Sequence, residues 1–197
     1  MHHLRHRNMP HAFSGRRSRV YDVVARRLLR RVYRRLAADV AGTAPQGGTV
    51  LDIGTGPAVL LIELARRRPD LRVIGVDLSA DMVSAAARNL AEFGDRASAK
   101  VGDVTDLPLE DESVDLIVSS LSLHHWDRPE AAVAELDRVL RPGGRLCVYD
   151  FPFAPFDTLT SEAWNRSLFG GSTAQREPTA IRIPFFPRLE KLTMTAA

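Results

Sequence analysis

The chain has 197 residues, of which 45% are hydrophobic and one is a cysteine, and its net charge at neutral pH is +3. This length allows one substantial hydrophobic core and is short for two ordinary domains. One cysteine excludes an intrachain disulfide, and no apolar run approaches the roughly 20 residues that a membrane span requires. We therefore expect a soluble, cytoplasmic protein with one domain.

The first 41 residues differ in composition from the rest of the chain. They contain eleven arginines and two acidic residues, whereas the remainder is net acidic. Residues 1–17 lack apolar periodicity and a visible cleavage signal, which favours a flexible leader over an organellar targeting peptide. From Val20 to Val40, apolar residues recur every four positions opposite an arginine-rich side, which predicts an amphipathic helix. Its basic face suits a nucleic acid or an anionic surface, although a solvated helix face has the same pattern.

The stretch from residue 49 to residue 150 alternates between short apolar runs and helical periodicity. Runs that stop at a glycine or an acidic residue predict strands, and amphipathic spacing between them predicts helices. The predicted strands are Thr49–Ile53, Leu71–Val76, a short run at Lys100–Gly102, Val114–Ser119 and Gly144–Tyr149. The predicted helices are Ala58–Arg68, Met82–Phe93 with Ser79 as its cap, and Pro129–Leu140. This alternation predicts an α/β fold of three layers, with a mostly parallel sheet covered by helices on both faces.

The pattern weakens after Asp150. An aromatic-rich segment is followed by a predicted helix over Leu159–Phe169. Ile181–Phe186 and Leu189–Ala196 are apolar and are separated by Pro187, so they predict an antiparallel hairpin at the edge of the sheet.

Two motifs at strand ends point to a ligand that contains a nucleoside. VLDIGTGPA places Asp52, Gly54 and Gly56 where the first strand turns into a helix, so the backbone can approach a ligand without a Cβ in the way. Asp77 ends the second strand, where a carboxylate can accept hydrogen bonds from both ribose hydroxyls of an adenosine. A nicotinamide dinucleotide is disfavoured, because its fingerprint requires Gly or Ala where this chain has Val59.

Four ordered motifs between Val50 and Asp150 resemble those of the class I, Rossmann-like methyltransferases, particularly the small-molecule group that includes the quinone-biosynthesis C-methyltransferases. The motifs are VLDIGTGPA, VIGVDLS, GDVTDLP, and SVDLIVSSLSLHHW followed by LRPGGRL. The resemblance implies S-adenosylmethionine as cofactor and one methyltransferase domain over residues 18–197. Within it we expect a cap helix (18–41), a cofactor-binding core (49–150) and an acceptor-side region (151–197). Ala58 departs from the family, which often has a third glycine there, and we expect cofactor binding to survive this small side chain.

The resemblance also assigns roles to individual residues. In the family, the glycine loop passes under the methionine part of the cofactor, the acid after strand two binds ribose, and the acid after strand three contacts adenine. The implied cofactor-binding residues are Asp52, Gly54 and Gly56 in the loop, Asp77 at the ribose, Asp103 at the adenine amino group, Leu78, Met82 and Val104 around the adenine ring, and Ser119 near the methionine part.

Fewer residues are candidates for the transfer step itself. Methyl transfer is an in-line displacement, so an enzyme aligns the acceptor, excludes water, and adds a base when the nucleophile must lose a proton. His124 and His125 follow the fourth strand, at the edge of the sheet where open α/β folds bind ligands, and are candidate catalytic or acceptor-contacting residues. Tyr21 and Trp126 are candidates for the acceptor pocket. Simple packing is the alternative for these side chains.

Missing motifs narrow the choice of acceptor. Enzymes that methylate the amino groups of nucleic-acid bases resemble one another in an Asn/Asp-Pro-Pro-aromatic turn, where this chain has SSLS. Pyrimidine C5 and arsenite enzymes need active-site cysteines, whereas Cys147 lies in the fifth predicted strand. We therefore expect a small-molecule acceptor and no metal. A nucleic-acid or protein methyltransferase and a non-catalytic, cofactor-binding regulatory protein are the alternatives.

Overall fold

The computed structural model describes residues 17–171, 174–183 and 185–197, with side chains described from Arg30 onward. The predicted leader, apart from its last residue, lies outside this part of the chain. In the described part, no helix has both the length and the apolar character needed to cross a membrane.

The described residues form five α-helices and seven β-strands, which alternate except where β4 follows β3 and β7 follows β6. The helices are α1 (Arg17–Thr43), α2 (Val59–Arg67), α3 (Ala80–Leu90), α4 (Pro129–Val139) and α5 (Phe156–Asn165). The strands are β1 (Thr49–Ile53), β2 (Arg72–Asp77), β3 (Ala97–Val101), β4 (Val114–Ser120), β5 (Leu140–Asp150), β6 (Gln175–Pro178) and β7 (Glu190–Thr195). Short 3₁₀ segments follow α3, β4 and α5.

The strands form a single sheet in the order β3-β2-β1-β4-β5-β7-β6. The first five strands are mutually parallel, and β7 runs antiparallel to both β5 and β6. The chain order reverses direction at β1 and β4, which lie side by side in the centre of the sheet. Crevices at such a reversal, beyond the carboxyl ends of the strands, are where open α/β sheets bind ligands.

Each face of the sheet is covered by its own apolar cluster. One cluster joins buried side chains of α1, α2 and α3 to alternate residues of the central strands, such as Val50 and Val118. The other joins α4 and α5 to the intervening residues, such as Leu51 and Ile117. Because successive side chains of a strand point to opposite faces, this alternation follows from strands that are buried on both sides. The predicted three-layer α/β fold with an antiparallel C-terminal hairpin is confirmed.

The carboxylate of Asp39 links helix α1 to the sheet through two hydrogen bonds. Asp39 accepts a hydrogen bond from the hydroxyl of the buried Tyr149 on β5 (2.7 Å) and from the ammonium group of Lys191 on β7 (2.9 Å). From Arg30 onward, where its side chains are described, the apolar residues Val32, Leu36, Ala37 and Val40 of α1 are buried in the cluster that this helix shares with the sheet and α2. The C-terminal half of this helix is therefore an integral part of the layer that covers β1.

The first strand of the hairpin is not where the sequence predicts it. Ile181–Phe186 contains no strand among its described residues, and β7 pairs instead with Gln175–Pro178. Ile181 and Ile183 are apolar because they are buried in the cluster beneath α1, as parts of the loop between the two strands. The strand itself is exposed along its whole length, so its sequence carries no apolar signal.

Candidate cofactor and active site

Loops at the carboxyl ends of β1 to β4 enclose a cleft of about 390 Å³. The residues of the cleft that the sequence singles out are Gly54 after β1, Asp77 and Leu78 after β2, Asp103 and Val104 after β3, and His125 and Trp126 after β4. Asp52, Gly56, Met82, Ser119 and His124 do not line the cleft itself. The side chain of Tyr21 lies outside the described residues.

The two glycines of the first loop have different surroundings. Both have positive φ angles, +71° at Gly54 and +52° at Gly56, which favour glycine over other residues. A Cβ at Gly54 would lie 2.0 Å from Oγ of Ser122, whereas a Cβ at Gly56 would meet nothing within 4 Å. The missing side chain at Gly54 therefore makes room for Ser122, and the open space beside Gly56 remains free for a ligand.

Gly54→Ala should lower the free energy of unfolding by about 2–4 kcal/mol, because the left-handed conformation and the clash with Ser122 both oppose a methyl group. Gly47→Ala is the matched control, since Gly47 has a similar φ of +69° and open space around its Cβ position. We expect it to cost only about 1–2 kcal/mol. Urea unfolding of both variants measures the difference. Equal losses of unfolding free energy in the two variants would mean that Ser122 moves away from the added methyl group without cost.

Ala58, the departure from the family motif, also has a left-handed backbone. Its φ is +62°, it is fully buried, and it precedes the first residue of α2. Glycine occupies such a conformation without strain, which explains why related proteins often have a glycine there. Alanine accepts it with the smallest side chain available.

Asp77 connects the glycine loop to the start of α3. Its Oδ2 accepts a hydrogen bond from the main-chain N–H of Gly56 (2.8 Å), and its Oδ1 accepts one from the N–H of Ser79 (2.9 Å). Ser79 in turn caps α3, accepting from the N–H of Met82 at 3.4 Å. The half-buried carboxylate thus keeps lone pairs on both oxygens and faces the cleft.

Asp52 lies one layer below the cleft, on the face of β1 that α1 covers. It is 1% exposed, its Oδ2 accepts a hydrogen bond from the hydroxyl of Thr55 (2.8 Å), and burial raises its pKa to about 7, with a smaller contribution from the charge of Asp77. Burial and the charge of Asp52 raise the pKa of Tyr33 on α1 to about 12. Among the described residues, Asp52 Oδ1 and the hydroxyl of Ser119 are buried without a hydrogen-bond partner.

The opposite end of the cleft combines apolar side chains with one acid. Leu78 is 72% exposed and Val104 is half-buried. Met82, in the first turn of α3, is 43% exposed and lies outside the cleft lining. Asp103 is exposed, and its Oδ1 accepts hydrogen bonds from the main-chain N–H and the hydroxyl of Thr105, which hold the pKa of its carboxyl below the ordinary value. Exposed apolar side chains beside a carboxylate suit a planar, amine-bearing heterocycle.

The loop after β4 lies along the remaining side of the cleft. Ser122 accepts a hydrogen bond from the indole N–H of Trp126 at 3.0 Å, and His125 is exposed at the cleft wall. His124 is turned toward β5, where Nδ1 of its ring lies 2.7 Å from Oδ1 of Asp150. The two histidines therefore occupy different places, although their rings are only 4.0 Å apart.

Residues 51–148, which include all four cleft-forming loops, match the family model of the methyltransferase domain. This stretch, about half of the chain, belongs to the class I methyltransferases. S-adenosylmethionine is the cofactor of this family.

The names of curated relatives of this chain include different methyl acceptors. A demethylmenaquinone methyltransferase of Beutenbergia cavernae is 34% identical over 163 residues, which are 76% of this chain and 63% of that protein. An arsenite methyltransferase of Halobacterium salinarum is 36% identical over 119 residues, 59% of this chain and 30% of that protein. The chain thus spans less than two thirds of the length of either relative.

Solved structures similar to this chain include proteins with different names. A protein of Methanococcus maripaludis has a TM-score of 0.70 at 22% identity, over 96% of this chain and 98% of that chain. The [4+2]-cyclase SpnF also has a TM-score of 0.70, at 19% identity over 83% of this chain and 80% of that chain. Likeness at this level shows the fold alone.

The residues of the cleft fit S-adenosylmethionine. Its ribose needs a carboxylate with free lone pairs, which Asp77 offers at the cleft wall. Asp52 lies beneath the cleft with its Oδ1 unpartnered, and a negative charge there favours a bound ammonium group. The exposed Leu78 offers apolar surface for adenine. When bound, the cofactor supplies an electrophilic methyl group on a sulfonium centre.

Sequence reasoning missed three residues that shape this site. Thr55 binds the carboxyl of Asp52, Ser122 fills the space beside Gly54, and Asp150 binds the ring of His124. Thr55 and Ser122 lie inside recognised motifs, so their positions were available from the sequence. Asp150 is 26 residues from His124, and only its place at the end of a strand beside β4 could have suggested the pairing.

Proposed function

We propose that this protein transfers a methyl group from S-adenosylmethionine to a small-molecule acceptor by in-line displacement. The observation that carries the proposal is the convergence of four strand-end loops on one cleft, with Asp77 bound to the N–H of Gly56 and still able to accept from a ribose. An enzyme of this kind needs little covalent chemistry of its own. It must hold the two reactants in line and exclude water.

Aromatic side chains beside the β4 loop support a small, partly apolar acceptor. The rings of Phe151 and Phe153 are stacked 5.2 Å apart, and the ring of Phe186 is stacked on Phe151 at 5.4 Å. Phe153 is 68% exposed, so this aromatic surface is open to a ligand. Together with Trp126 it forms our candidate acceptor pocket, and the inclusion of Tyr21 stays a prediction. The similarity to a demethylmenaquinone methyltransferase also favours a small molecule.

Other acceptors have less support. Of the basic side of α1, Arg30 and Arg34 are paired with Glu63, at 3.0 and 3.9 Å, which reduces the charge available to a phosphate backbone. An arsenite acceptor is disfavoured because the sequence holds one cysteine, which is buried in β5. A non-catalytic regulatory role stays an alternative. The domain boundaries and the cytoplasmic location stay predictions from the sequence.

Two measurements test the proposal. Calorimetric titration of the folded protein with S-adenosylmethionine should give micromolar binding. Tritium from the labelled methyl group should then be incorporated into a small-molecule probe, for which a short-chain demethylmenaquinol is the first choice, and not into transfer RNA or protein substrates offered in parallel. A folded sample without cofactor binding would contradict the proposal. Incorporation of tritium into RNA or protein would show that the acceptor is a macromolecule and not a small molecule.

A further inference from the structure

The ring of His124 is held by a buried carboxylate. Asp150 is the last residue of β5 and is fully buried, and its Oδ1 lies 2.7 Å from Nδ1 of His124. The same carboxylate accepts hydrogen bonds from the main-chain N–H groups of His124 (3.1 Å) and Phe151 (2.7 Å). Asp150 therefore binds both the side chain and the backbone of His124, which leaves the ring little freedom to turn.

This contact determines which ring nitrogen carries the proton. An ionised carboxylate can only accept, so Nδ1 of His124 must be the donor, and Nε2 of the neutral ring then carries a lone pair. The side chain is 20% exposed, and in the part of the chain that the structure describes, Nε2 has no hydrogen-bond partner. An imidazole oriented in this way is ready to accept a proton through Nε2.

The ring also lies next to the proposed reaction site. His125, which lines the cleft, has its ring 4.0 Å from that of His124, and the rings of Phe151 and Phe153 lie at 5.6 and 6.1 Å. The ionisable groups that the described structure brings against His124 are His125 and Asp150. Glu190 lies opposite Asp150 in the register of β7 with β5, and its carboxylate forms an ion pair with Arg176.

We propose that His124 is the general base of the transfer and that Asp150 is its positioning residue. This inference rests on the proposed function and names its acceptor class: a hydroxyl group or an acidic carbon, which must lose a proton to become nucleophilic. Nε2 of His124 takes that proton, the electron pair left on the acceptor forms the bond to the methyl carbon, and the pair of the broken carbon–sulfur bond stays on sulfur. The imidazolium, paired with Asp150, then releases the proton to solvent. A neutral amine already has a free lone pair and would not require this base.

Nitrogen-15 NMR of histidine-labelled protein tests the geometry without any acceptor. In the wild type, the His124 signals should show a protonated Nδ1 and an unprotonated Nε2 at a pH where the ring is neutral. In Asp150→Asn, the amide can donate to Nδ1, so the fraction of the opposite tautomer should rise. Asp137→Asn is the control, because Asp137 is half-buried and, like Asp150, accepts a hydrogen bond from a main-chain N–H, that of Phe169, but lies on α4. A wild-type ring protonated at Nε2 would overturn the proposal.

Activity is measured with three probes: a catechol, a short-chain demethylmenaquinol and benzylamine. His124→Ala should reduce kcat for the catechol or the quinol by about 10² to 10⁴-fold, remove the rise of rate with pH, and regain part of its activity with added imidazole. Asp150→Asn should lower kcat with little change in KM, while cofactor affinity in the calorimeter stays unchanged in both variants. Methylation of benzylamine alone, or a wild-type pH profile in His124→Ala, would overturn the proposal. Loss of cofactor binding in the wild type would instead refute the proposed function.

Discussion

Asp77→Ala should weaken the binding of S-adenosylmethionine by a factor of about 100 or more. The carboxylate of Asp77 keeps free lone pairs on both oxygens while it holds the N–H groups of Gly56 and Ser79. Two hydrogen bonds from ribose hydroxyls to a charged acceptor contribute about 1.5–3 kcal/mol each, and every 1.4 kcal/mol lost is a tenfold loss of affinity. Calorimetric titration measures the effect directly.

Two further variants separate the role of Asp77 from general effects. Asp81→Ala removes an exposed acid from the first turn of α3, the helix that follows Asp77, and should leave the affinity for S-adenosylmethionine within about twofold. Asp77→Asn keeps the shape of the side chain and should lose less affinity than Asp77→Ala, since its amide oxygen still accepts a hydrogen bond. Unchanged affinity in a folded Asp77→Ala protein would contradict the assignment of Asp77 to the ribose.

Asp52→Asn should stabilise the protein above pH 7 while it weakens cofactor binding. Burial raises the pKa of Asp52 from 3.8 to about 7, so the folded protein binds a proton that the unfolded chain has released over this range. Stability due to this group is therefore fully present below pH 3.8 and is lost as the pH rises to about 7, by roughly 4 kcal/mol in total. The uncharged asparagine avoids this loss, but its unpaired amide costs about 1–3 kcal/mol. We expect a net gain of about 2 kcal/mol at pH 8.

Urea unfolding of the wild type and Asp52→Asn across pH 4 to 8 checks this prediction. The difference in unfolding free energy should grow from pH 4 to pH 7 and level off above it. A difference that does not change with pH would show that Asp52 is ionised in the folded protein throughout. The same samples, titrated with S-adenosylmethionine, should show the loss of affinity, because an amide group attracts an ammonium group less than a carboxylate does.

The sequence predicts the cofactor half of the fold well because its signals are local. Each of the strands β1, β2 and β4 is a short apolar run that stops near the residue that enters the site, and Ser79 marks the start of α3. The C-terminal hairpin is different, since β6 is fully exposed and the buried Ile181 belongs to a loop. Apolar character reports burial, and it reports a strand only where burial and pairing coincide.

The site was only partly predictable for a related reason. Family motifs indicate Asp52, Asp77 and Asp103, but they do not say that Asp52 is buried deeply enough to hold a proton near neutral pH. Both histidines were candidates, and nothing local distinguishes His124 from His125. The distinction comes from Asp150, which reaches His124 only because β5 pairs with β4. Such contacts depend on the register of the sheet and on side-chain directions.

Ser122 fills the space beside Gly54 and so joins the loop after β4 to the loop after β1. Ser122 also accepts a hydrogen bond from the indole N–H of Trp126, so the loop after β1, proposed to lie under the cofactor, and the loop after β4, proposed to lie beside the acceptor, are in contact through one hydroxyl. Ordering either loop then lowers the entropic cost of ordering the other, and this coupling must be reciprocal. We therefore expect positive cooperativity between the two substrates, so that cofactor and acceptor each bind more tightly when the other is present.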